Sequence, residues 1–185
     1  LSSLFDHPSI GFAALRLAAH WNLQEAHEVA AKHLLNAPAD GLSTLRNHAS
    51  TLAVFGRSGV ARLVTFAQET ESPEAALAAL EAIADADGRT AAKLAPDFLA
   101  SFPEQLDVAV LFANLLRSGD APQILADGLA GKTLRPSFAL VGIRSATTSG
   151  RDLSGLVAAL RKAGNLRPMR QKLSATEMKD MVKRV

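Results

Sequence analysis

Residues 72–85 read SPEAALAALEAIAD, and this stretch decides the fold class. Ser72 is a good helix N-cap, Pro73 suits the first helical position, and Glu74 suits the positive end of a helix. Leu77, Leu80 and Ile83 then fall on one side, while Glu74, Glu81 and Asp85 fall on another. That spacing predicts a surface helix with one buried stripe.

The same periodicity extends outward in both directions. Upstream it predicts helices over Ile10–His20, Leu23–Leu35, Leu42–Phe55 and Val60–Gln68. Downstream it predicts Thr90–Ala100, which Pro96 should kink or split, and then Gln105–Leu116. The latter is apolar nearly all round and is expected to be buried mid-fold, with Asn114 hydrogen-bonded to backbone or water. Further helices are predicted over Gln123–Leu129, Ser137–Ala146 and Leu153–Ala163. Residues 164–173 read as a linker. Ser174 and Glu177 form a capping box that opens a last helix from Ala175, with Met178, Met181, Val182 and Val185 as its apolar side.

Turn-prone residues recur between these helices at Asn22, Gly56, Gly88, Gly119 and Gly150. The intervals lie in the low thirties, with two helices per interval, which is the signature of a helical repeat array. One helical hairpin cannot bury both of its faces, so it needs stacked neighbours. The expected fold is therefore all-α: a right-handed α-α superhelix of the HEAT-like or armadillo type, with about five hairpins and a C-terminal helix. Residues 1–163 would form the repeat domain, and 164–185 a linker and helix leading toward a further domain. The chain opens on Leu1 and stops at Val185 inside a predicted helix, which suggests a segment of a longer protein. Tetratricopeptide repeats have a similar period, but their aromatic pattern is absent and the sequence has no Tyr.

Composition agrees with an all-helical reading. Apolar residues make up 48% of the chain but aromatics only 5%, and the dominance of Ala and Leu favours helix over sheet. There is no Cys, which excludes a disulfide framework, a thiolate nucleophile and a Cys-based zinc site. No run approaches the length of a membrane span, and Asp6, His7 and Pro8 do not suit a signal peptide. The net charge of +2 hides an asymmetry: residues 1–130 carry 8 Lys/Arg against 15 Asp/Glu, and residues 131–185 carry 12 against 3.

Catalytic and metal constellations are not evident. His7, His20, His27, His33 and His48 all lie near the N-terminus, but without the spacing of a known ligand set. No Ser occupies a nucleophile elbow, and no glycine-rich phosphate loop is present. The basic C-terminal third is the feature with functional colour. Arg144, Arg151, Arg161, Lys162, Arg167, Arg170 and Lys172 define a candidate docking surface for an acidic neighbouring domain or partner protein. The alternative is an independent protein- or nucleic-acid-binding solenoid that uses the same basic third. Nucleic acid is the less favoured partner, because that class sets aromatic residues beside its basic groove. Here the single Trp, Trp21, is far away in sequence.

Four segments carry a resemblance: LADGLAGKTL at 125–134, GIRSATTSGRD at 142–152, LVAALRKAG at 156–164 and LSATEM at 173–178. Together they resemble the HEAT-like helical region of a family of large bacterial multidomain proteins described as membrane-bound dehydrogenases. These carry a C-terminal c-type haem domain with a Cys-x-x-Cys-His motif. The resemblance implies a β-propeller domain before the helical region, haem in a domain after it, and a parent exported to the periplasm or cell envelope. Without Cys, none of that family's haem-binding residues maps onto this chain. The implied role is a non-catalytic scaffold or interaction module with no cofactor of its own, spacing or docking neighbouring domains.

Overall fold

The computed structural model describes residues 2–5, 7, 10–21, 23–37 and 41–166. The helices are α1 (Ser2–Phe5), α2 (Gly11–His20), α3 (Gln24–Leu35), α4 (Leu42–Ala53), α5 (Arg57–Glu69), α6 (Pro73–Ala86), α7 (Gly88–Ser101), α8 (Ala109–Arg117), α9 (Ala121–Gly128), α10 (Pro136–Thr148) and α11 (Ser154–Ala163). No strand occurs among the described residues, so the chain is all-α. The predicted linker beyond Leu166 and the helix from Ala175 lie outside the described residues, as do the turn residue Asn22 and Arg167, Arg170 and Lys172.

Local chemistry sets the boundaries. The Ser72 hydroxyl accepts the Ala75 N–H at 3.2 Å, and Pro73 occupies the first turn of α6, as the sequence predicts. Asp87 closes α6 and opens α7, its carboxylate accepting the Thr90 N–H at 3.1 Å and the Thr90 hydroxyl at 2.6 Å. These bonds to the ionised form hold the Asp87 carboxyl below its usual range, the Thr90 hydroxyl contributing most. The helix predicted from Gln105 starts later, at Ala109, where the Asp107 carboxylate accepts the Ala109 N–H at 3.0 Å. Gly56 and Gly150 adopt φ of 65° and 71°, conformations that disfavour any residue with a Cβ.

Consecutive helices pack as pairs: α2 on α3, α4 on α5, α6 on α7, α8 on α9, and α10 on α11. Alternate helices also touch, so that α2, α4, α6, α8 and α10 form one row and α7, α9 and α11 line up behind it. Close approach is built into both rows. A Cβ on Gly142 of α10 would lie 2.7 Å from the Phe112 ring of α8, and one on Gly128 of α9 would lie 2.7 Å from the Pro96 ring of α7.

Three expectations need correction. Of the two outcomes expected at Pro96, a kink or a split, the split is the one overturned: α7 runs from Gly88 to Ser101 with Pro96 buried inside it. The ring fills the space left by Gly128, so its burial offsets the hydrogen bond it cannot donate. Second, α6 is not a one-sided surface helix, because every residue from Ala75 to Ala84 is buried. Its alanines let α4, α5, α7 and α8 all approach it. Third, the helix expected to be wholly buried is half exposed: in α8, Leu111, Phe112, Leu115 and Leu116 face inward while Val110 is 41% exposed. Asn114 behaves as predicted, donating to the Glu81 carbonyl at 3.1 Å.

Candidate functional site

Side-chain hydrogen bonds tie each helix pair to the next at a recurring interval. Arg62 bonds Glu28 at 2.8 Å, Arg117 bonds Asp85 at 3.2 Å, and Arg89 and Lys132 bond Asp120 and Asp97. Arg135 donates to the Phe102 carbonyl at 3.0 Å. In each case the partners are 31–35 residues apart. The most buried of these joints is Arg46 with Glu81. The guanidinium donates from Nε and Nη2 to the two carboxylate oxygens at 2.6 and 2.7 Å, and the Glu81 side chain is 4% exposed. The bond from Glu81 holds Arg46 in its charged form more firmly than usual.

The predicted basic surface divides in the structure. Arg151 turns back on the preceding pair and donates to the carbonyls of Leu116 at 2.6 Å and Gly119 at 2.9 Å. It thereby closes the C-terminal end of α8, where unpaired carbonyls and the helix dipole favour a cation. Arg144 of α10 and Arg161 of α11 behave differently. They flank an open groove of about 660 Å³ together with Leu140, Ile143, Val157 and Leu166, and neither has an acidic partner among the described residues. Lys162 is exposed next to Arg161. The three described basic residues other than Arg151 thus sit on the last pair, two of them on one apolar groove.

The N-terminal histidines form a second cluster. The rings of His33 and His48 lie 5.7 Å apart, and Phe12 stacks 4.7 Å from His48. His7 lines the same small cavity of about 160 Å³. Burial, and then the neighbouring His33, push the His48 imidazole below its ordinary range. No group of three or more His, Asp or Glu side chains among the described residues is arranged to hold a metal ion. Sequence spacing did not bring His33 and His48 together, because their meeting depends on how α3 and α4 pack. His27 stands apart, buried with its ring edge on Phe55 at 5.3 Å and its Nε2 without a hydrogen-bond partner.

Comparison with known protein families, curated proteins and solved structures finds no match to this chain. No helix among the described residues is long and apolar enough to cross a membrane. A c-type haem needs Cys for its covalent attachment, and this chain has none. The residues present do not fit that group.

Proposed function

We propose that the chain is a non-catalytic helical-repeat module, a right-handed HEAT-like superhelix that spaces or docks neighbouring domains through its basic end. The observation that carries this reading is the joint interval: links between helix pairs recur at 31–35 residues, matching the spacing of the turn glycines. A repeat array builds its stability from equivalent nearest-neighbour joints, and such joints give this periodicity directly. The HEAT-like region of the haem-bearing bacterial dehydrogenase family remains the best candidate for its parent, on the strength of residues 125–178.

Removal of one unit tests the repeat. Deleting residues 88–118 takes out α7 and α8 and brings Asp87 next to Gly119, from one turn to the next. An array should keep its helical circular dichroism per residue and a sigmoidal melt, because α6 and α9 can form a new pair. A single interlocked core would lose both. A Soret band acquired on incubation with haem would overturn the reading of a module without its own cofactor.

A further inference from the structure

The groove between α10 and α11 lies where the row of described helices stops. Leu140, Ile143, Arg144 and Thr147 line it at i, i+3, i+4 and i+7 of α10, the spacing of one helical face. Gly142, which packs against Phe112 of α8, falls on the opposite side of the same helix. Val157 and Arg161 of α11 form the second wall. Leu140 is 55% exposed, and Ile143 and Val157 are half-buried. The groove therefore has an apolar floor with one guanidinium on each wall. From Leu140 to Thr147 it follows roughly 10 Å of helix, about two turns.

The joints inside the array show what such a position takes up. Arg46 of α4 donates to the Glu81 carboxylate of α6, and α6 also buries Leu77, Leu80 and Ile83. Arg62 of α5 donates to Glu28 of α3, and Arg117 of α8 to Asp85 of α6. Each time an arginine is met by a carboxylate carried on a helix of an adjacent pair. Arg144 and Arg161 make no ion pair with an acid among the described residues. A second copy stacked head to tail would offer α2, the first helix of the row. That helix exposes Leu17 but carries Arg16 and no acid, so it would bring a cation to two cations.

We propose that the groove binds an acidic amphipathic helix presented by the neighbouring domain that the basic end docks. Its apolar stripe covers Leu140, Ile143 and Val157, and carboxylates flanking the stripe meet Arg144 and Arg161. The proposal rests on the reading of the basic end as a docking surface and names the chemistry and shape of what is docked. The apolar floor separates this site from a phosphate-binding surface, to which Leu140 would contribute nothing.

The probe is a fluorescein-labelled, stapled helical peptide of about four turns, with leucines at i, i+3, i+4 and i+7 and glutamates flanking that stripe. A second peptide has lysine in place of each glutamate. By fluorescence anisotropy the full chain should bind the glutamate helix about tenfold more tightly than the lysine helix, or better. Leu140→Asp, at an exposed position, should weaken binding about fivefold or more, with helical circular dichroism retained. Arg144→Glu should weaken it about two- to fivefold, the scale of an exposed ion pair, and strengthen binding of the lysine helix. Lys93→Glu makes the same charge change at an exposed residue of α7 and should leave the affinity unchanged. Equal losses in Arg144→Glu and Lys93→Glu would reduce the attraction to net charge and overturn the proposal. So would insensitivity to Leu140→Asp, or no binding of the glutamate helix by the full chain. Tighter binding of duplex DNA or phosphatidylserine vesicles, lost in Arg144→Glu, would overturn it in favour of phosphates. Self-association in sedimentation that Leu140→Asp abolishes would assign the groove to a second copy instead. Failure of the unit deletion with the peptide affinity of the full chain intact would remove the repeat reading and leave the groove standing; the converse would remove its occupant alone.

Discussion

Arg46→Ala should be among the most damaging single changes to a polar residue in this protein. The substitution removes the cation facing Glu81, whose side chain is 4% exposed and sits in a helix buried from Ala75 to Ala84. Both carboxylate oxygens lose their hydrogen bonds, and the charge is left in an apolar surround. Breaking a buried pair from one side costs about 3–5 kcal/mol. Arg46 keeps a third of its side chain in water, so the lower end, about 3 kcal/mol, applies. For a chain of this size each kcal/mol moves the melting temperature by about 2–4 °C, which gives a fall of roughly 6–12 °C.

The assay is urea unfolding followed by helical circular dichroism, with Arg46→Met, Glu81→Leu and the double variant beside Arg46→Ala. The double variant replaces the pair by apolar side chains of similar volume and should recover most of the loss, because the desolvation cost disappears with the charges. A coupling energy of at least about 1 kcal/mol is expected from the cycle. Two results would refute the reasoning. One is a cost for Arg46→Ala below about 1 kcal/mol, the range of a surface pair. The other is a double variant as unstable as the worse single one, which would make the loss one of packing.

Two further outcomes are expected from the same structure. Arg151→Ala should destabilise by about 1–2 kcal/mol, the scale of charged hydrogen bonds discounted for exposure. Arg151→Lys should not restore it, since one ammonium cannot span the Leu116 and Gly119 carbonyls; equal stability of wild type and Arg151→Ala in urea would refute this. His48 is pushed below the ordinary 6.5 on folding, so the unfolded chain binds the proton more readily and stability falls as pH drops through 6.5 toward the lowered folded value. In His48→Gln the loss of stability between pH 7.5 and 5.5 should be smaller than in wild type, and an unchanged difference would sink the assignment.

The features legible in the sequence were local. Ser72 with Pro73 fixes the start of α6, and the helix positions come from apolar spacing because each depends on residues three or four apart. The burial of α6 was not legible, because Glu81 reads as a surface residue until Arg46 is placed opposite it, 35 residues earlier. The six alanines between Ala75 and Ala84 gave no stripe to read, yet their small size is what lets four helices close around them. The opposite error in α8 has the same origin: Val110 is apolar, but no helix covers it. At the basic end, a charge count could not separate Arg151, which closes α8, from Arg144 and Arg161, which face a groove. Only the fold-back of α11 on α10 sorts them.

The charge asymmetry acquires a physical meaning once the joints are traced. Cations and acids in the body of the chain pair with one another across one interval, which is why residues 1–130 can carry an acidic excess and still hold together through bonds such as Arg62 with Glu28 and Arg117 with Asp85. Lys132 uses that excess from the basic side by reaching back to Asp97, whereas Arg135 and Arg151 reach back to backbone carbonyls, of Phe102 and at the end of α8. Arg144 and Arg161 come one step later and make no ion pair with an acid among the described residues. Arg144 is exposed and Arg161 half-buried, so water can solvate both guanidiniums, and what the end of the row leaves uncovered is apolar: Leu140, 55% exposed on the groove, is the surface that burial would stabilise.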